Sequence, residues 1–148
     1  MDKPIYQLQS SSDNLQFVFE SISQERIIRK AVAYILSDDN PDLYQLIFGD
    51  LKENGDIDIL SASNNNDMKQ VLTTVVDTLS TFFEHYPMAT VAFTGSTSSR
   101  TRLYRAAITQ FLKETNLYYD VVGITENGIL ESFNSKGNYV GYLITQKS

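Results

Sequence analysis

"NNNDMKQVLTTVVDTLSTFFEHYP" (Asn64–Pro87) is where the chain changes its period. Met68, Val71, Leu72, Val75, Val76, Leu79, Phe82, Phe83 and Tyr86 recur three and four apart, an unbroken stripe along one side of an α-helix. An asparagine among Asn64, Asn65 and Asn66 caps it, Asp67 suits its positive end, and Pro87 stops it. Four consecutive β-branched residues, Thr73 to Val76, weaken intrinsic helicity, so packing of the stripe has to hold this helix.

Upstream the period is two. "LQFVFESI" sets Leu15, Phe17 and Phe19 on one face. In "RIIRKAVAYIL" (Arg26–Leu36), Ile28, Val32, Tyr34 and Leu36 share a face with Lys30. "DDNP" (Asp38–Pro41) is turn chemistry, and "DLYQLIFGDL" is a third strand. Asn54-Gly55 signals a type I′ hairpin, in which both central residues need positive φ, and "DIDILSA" returns as a fourth strand. Residues 1–14 read as a loose arm or a short edge piece.

Downstream, "MATVAFTG" is short and almost wholly apolar, the pattern of a central strand. A second helix spans about Ser99 to Thr115, ended by Asn116. "YYDVVGIT", "ILESF" and "YVGYLIT" follow as strands, the first two joined by an Asn127-Gly128 hairpin and the last two linked by "NSKGN". The expectation is an α+β fold in one domain, residues 1–148. It is a mainly antiparallel sheet (four-strand meander, helix, strand, helix, C-terminal strands) with two long helices packed on one face. A parallel pair is expected where the helices cross over.

Composition narrows the chemistry. The chain of 148 residues has no cysteine and one histidine, so disulfides, thiolates and zinc sites have nothing to work with. A reducing cytoplasm fits, and no run is long and apolar enough for a membrane span. The net charge of −6 disfavours nucleic acid. All of that excess lies in residues 1–74, which hold 12 acids and 6 bases; no acid occurs from His85 through Lys113.

That acid-free stretch contains "GSTSSRTRLY" (Gly95–Tyr104). Arginine is the wrong charge for a helix start, where free N–H groups already carry partial positive charge. On a helical wheel Arg102, Arg105, Thr109 and Lys113 form a solvated face, whereas Arg100 sits on the core-facing stripe. Gly95, Ser96, Thr97, Ser98 and Ser99 supply backbone amides and hydroxyls at a strand end. With Arg100 and Arg102 they have the ingredients of an anion or nucleotide site. The structural alternative is an ordinary N-cap with Arg100 paired to a carboxylate from the acidic half. The stretch fits neither a Walker A loop nor G-x-G-x-x-G.

"TTVVDTLSTFFEHYP" followed by "VAFTGSTSSRTRLYRAAI" resembles an uncharacterised family of small bacterial domains with a G-S-T-x-x-R-T-R-L-Y signature. The close match covers Val71 to Ile108. The resemblance implies a bacterial, cytoplasmic domain of unknown function and carries no catalytic role onto any residue.

Other candidates are weaker. Asp42, Asp50 and Lys52 have the residue types of a metal-dependent nuclease and would need to converge. Asp38, Asn40 and Asp42 begin like a calcium loop but lack its glycine and distal glutamate. Asp56 and Asp58 share a strand face as solvated carboxylates. His85 suits the negative helix end and is otherwise a lone general base. Tyr118, Tyr119, Tyr139 and Tyr142 are sheet residues, some available for an interface. With so few catalytic groups, the leading expectation is a non-enzymatic binding domain that takes no cofactor or metal. Its partner would be another protein or a second copy, through a sheet edge or a tyrosine face, with a small anion as the alternative.

Overall fold

The computed structural model describes residues 6–23, 25–58, 68–94, 106, 108–110, 118–134 and 136–147. The described strands are β1 (Gln9–Ser10), β2 (Gln16–Ile22), β3 (Ile27–Leu36), β4 (Leu43–Leu51), β5 (Ile57–Asp58), β6 (Thr90–Thr94), β7 (Tyr119–Ile124), β8 (Leu130–Ser132) and β9 (Gly141–Gln146). Helix α1 (Met68–His85) joins β5 to β6. A second helical stretch is described at Ala106 and residues 108–110; the rest of the span expected to form a long helix lies outside the described residues.

All the described strands form one sheet in the order β1-β2-β3-β4-β6-β9-β7-β8, with β5 on the far end of β4. The N-terminal meander is antiparallel, as its alternation requires. The crossover through α1 brings β6 alongside β4 in parallel, Leu43 opposite Thr90 and Leu46 opposite Phe93. This places the almost wholly apolar β6 in the interior, between β4 and β9. β1 is the short edge piece anticipated in residues 1–14.

Two details of turn chemistry depart from the sequence reading. Gly55 and Gly128 have φ of +92° and +79°, while Asn54 and Asn127 keep negative φ. The bonds Gly55 N–H to Lys52 O and Gly128 N–H to Thr125 O therefore close type I turns followed by a left-handed glycine, not type I′ turns. The hairpins form as expected, with one more residue in each loop.

The last strand does not lie beside its predecessor. β9 inserts between β6 and β7, antiparallel to both. The linking loop is anchored by Tyr139, whose ring lies over Gly123 of β7 where any Cβ would collide. Its hydroxyl accepts from Asn134 N–H and donates to Glu131.

The core lies between α1 and one sheet face. Val71, Leu72, Val75, Val76, Leu79, Phe82 and Phe83 are all buried against Phe17, Phe19, Val32, Tyr34, Leu46, Val91, Phe93, Tyr142 and Ile144. Ile108, from the second helical stretch, joins the same cluster. Phe82 stacks on Tyr34 with ring centroids 4.2 Å apart. Thr74 and Thr78 sit in this apolar seam yet are satisfied: each donates to a carbonyl one turn back, and each accepts from outside the helix. Thr74 takes Tyr6 N–H at 3.0 Å, and Thr78 meets the Tyr34 hydroxyl at 2.6 Å. Threonines that weaken the helix locally thus fasten it to the sheet.

Candidate functional site

Gly95, Ser96, Thr97, Ser98, Ser99, Arg100 and Arg102 lie outside the described residues. The ground before them is described. Thr94 ends β6, exposed, opposite Gly141 of β9, and its hydroxyl accepts from Gln45 of β4 at 3.4 Å.

The nuclease expectation is overturned. Asp42 stands just before β4 and Asp50 near its end. Eight residues of extended chain separate them by about 27 Å. Asp42 is held instead in the β3–β4 turn, where its N–H donates to Asn40 Oδ1 and its carbonyl accepts from Thr90. The calcium-like run Asp38, Asn40, Asp42 is therefore turn chemistry. Among the described residues no group of three or more metal-binding side chains converges.

Asp50 has a different role. It lies directly opposite Lys30 on β3 and directly opposite Asp58 on β5. Lys30 donates to Asp50 at 2.5 Å, with its side chain only 7% exposed. Asp58 is half-buried, so it is not the solvated carboxylate that its sequence context suggested. The pair was legible in part: the period-two pattern already put Lys30 on the face of Val32 and Tyr34. What it lacked was the register, which supplies the carboxylate twenty residues on.

The remaining titratable candidates are structural. His85 is exposed in the last turn of α1, its Nδ1 3.0 Å from the Thr81 carbonyl. Burial drives the Tyr34 phenol far above the ordinary tyrosine range, so it stays protonated and serves as a hydrogen-bonding post. Of the tyrosines considered for an interface, Tyr119, Tyr139 and Tyr142 are buried on the helix side; Tyr118 is exposed. The tyrosine face is thus core, not surface.

Among the described residues two surface features stand out. One is a cleft of about 500 Å³ at the β1–β2 edge, lined by Tyr6, Gln9, Phe19, Glu20, Ile22 and Arg29 among others. It opens where the chain before Gln9 diverges from β2, Gln9 being opposite Val18, and it closes where the Tyr6 hydroxyl meets the backbone of Ile22.

The other is the sheet face opposite α1. Ladder registers place Val18, Ala31, Ala33, Ile47, Gly49, Ala92, Leu143 and Val122 across it. None of these belongs to the core cluster, although Ala31, Ala33 and Gly49 are buried among their neighbours. Val18, Ile47, Ala92, Leu143 and Val122 are half-buried. Ile22, Ile27, Ile35 and Leu130, at its margins, are each about half exposed or more. Glu20, Arg29 and Asp120 are the ionisable residues at its described strand positions, all toward the rim. Gln16, Gln45, Thr90, Thr94 and Thr145 complete a polar border. The period-two pattern marks which strand positions share this face but not that, once the strands are in register, most of them are aliphatic.

The model of a family described as a family of unknown function (DUF6934) matches residues 2–147. No curated protein and no solved structure matches the chain.

Proposed function

The chain belongs to that family of unknown function, and because membership brings no activity with it, we propose from the geometry that this is a protein-interaction domain working through the sheet face opposite α1. The carrying observation is a row of half-buried aliphatics, Val18, Ile47, Ala92, Leu143 and Val122, set around the buried small residues Ala31, Ala33 and Gly49 and bordered by polar residues. That is the anatomy of an interface: apolar centre, charges excluded to the rim. Apolar area that stays wet in the isolated chain becomes a driving force once covered, at about 25 cal/mol per Å².

Ile47→Glu tests it. The substitution puts a charge in the middle of the face without touching the helix side. Tagged wild type and variant, expressed to equal levels, should differ in what they retain on purification, with the wild-type complement lost from the variant. Identical complements, together with unchanged self-association of the variant, would overturn the reading.

A second reading keeps an anion at Gly95–Arg102. Its support is position: the segment leaves the carboxyl end of β6, an interior strand parallel to β4, and such strand ends are where α/β sheets gather ligands. Phosphate should then shift the amides of Ser96 to Thr101 saturably, and Arg100→Ala should abolish the response. Absence of any shift at millimolar phosphate removes this reading.

A further inference from the structure

We propose that the partner of the helix-free face is the same face of a second copy of this chain, the two sheets closing into a sandwich. This rests on the interaction reading above and names its occupant.

Area is the first support. Eight strands at about 4.8 Å spacing and about 20 Å of strand length give a footprint of roughly 700 Å² per copy. A standard stable interface takes about 800 Å² from each partner. The face is thus nearly the size that two proteins of this mass need.

Charge is the second. The chain carries −6, so two copies repel each other over most of their surface. At the described strand positions of this face the ionisable residues are two acids, Glu20 and Asp120, and one base, Arg29. Copies approaching here meet the least like charge. The small central residues let two backbones come to the usual sheet-to-sheet distance of about 10 Å while Val18, Ile47, Leu143 and Val122 interdigitate around them.

The sheet edges are poorer routes to self-association. β1 has two residues. On β8, Ile129 and Phe133 bond to β7, so Leu130 and Ser132 turn their backbone groups outward. A second β8 pairing there would centre on Glu131 and set it opposite its own copy, a like-charge contact of the kind that guards natural edges.

Sedimentation velocity on the full chain, from low micromolar to about 0.1 mM, reads the outcome directly. The expected result is a species of twice the chain mass that weakens at least about 100-fold in Ile47→Glu and in Ala92→Glu. Met88→Glu, at an exposed apolar position off this face, should leave it intact. Far-ultraviolet circular dichroism confirms that each variant is folded. A wild type monomeric at every concentration overturns self-pairing; the face reading then stands or falls separately on whether Ile47→Glu still loses retained proteins. A dimer that survives both face variants places the contact elsewhere and overturns the proposal outright.

Discussion

The two faces of this sheet are built from alternate residues of the same strands, yet they are different materials. Toward α1 the strands present Phe17, Phe19, Tyr34, Leu46, Phe93 and Tyr142, all buried and mostly aromatic. Away from it they present Val18, Ala33, Ile47, Ala92 and Leu143, smaller and, except for Ala33, half open. The first face has committed its area to the fold. The second has apolar area the fold does not use. Stability should therefore respond to change on one side and association on the other, and experiments can try to break that division.

The largest effect is expected at Phe82, fully buried and touching Tyr34, Tyr44, Phe83 and Tyr86. Phe82→Ala should cost about 3–5 kcal/mol in urea unfolding, through lost transfer energy plus the cavity left behind. A loss below about 1 kcal/mol would mean that the helix is not seated as described.

Next is the ion pair on that same face. Asp50→Ala removes the carboxylate to which the buried Lys30 ammonium donates and should cost about 2–4 kcal/mol. The double variant Lys30→Met, Asp50→Leu should recover much of this, since paired charges return little beyond their desolvation. If the double variant is as unstable as the two singles summed, the pair is not acting as a unit.

Tyr34→Phe should cost about 1 kcal/mol, because the Thr78 hydroxyl keeps its bond to the Val75 carbonyl. Ile47→Glu sharpens the contrast from the other side. In the isolated chain it should shift stability by no more than about 1 kcal/mol while removing association. A loss comparable to Phe82→Ala would show that the helix-free face is itself core.

The smallest effect concerns acid. Asp13 accepts from the Ser11 hydroxyl at 2.6 Å and from Leu15 N–H at 3.1 Å, which hold its carboxyl below the usual aspartate value. A depressed folded value stabilises above the unfolded one, near pH 4, and that contribution fades as pH falls through the folded value. Asp13→Asn should lower stability slightly at pH 7 and flatten its pH dependence below pH 4. An unchanged acid profile would remove this contribution.

Much of the architecture was readable because periodicity is a direct imprint of burial. The α1 stripe from Val71 to Phe83 is buried residue for residue, and the period-two runs became β2, β3 and β4. Glycine marked both hairpins, although the turn type went the other way, because a dipeptide specifies where a left-handed residue sits but not how many residues precede it. The nuclease trio failed for a simple reason. Proximity in sequence along an extended strand is distance in space, while Lys30 and Asp50, twenty residues apart, are adjacent.

Local spacing by itself determined which segments are helix and strand, which side of each is apolar, and that the sheet is mainly antiparallel with helix on one face. Those properties follow from the 3.6 and 2.0 residue periods and need no partner to be read. Tertiary structure alone decided that β9 enters between β6 and β7, that Asp50 answers Lys30, and that the helix-free strand positions join into one aliphatic surface. Strand order and register are set by the summed fit of distant side chains, such as the Tyr139 ring over Gly123, and no local pattern encodes that sum.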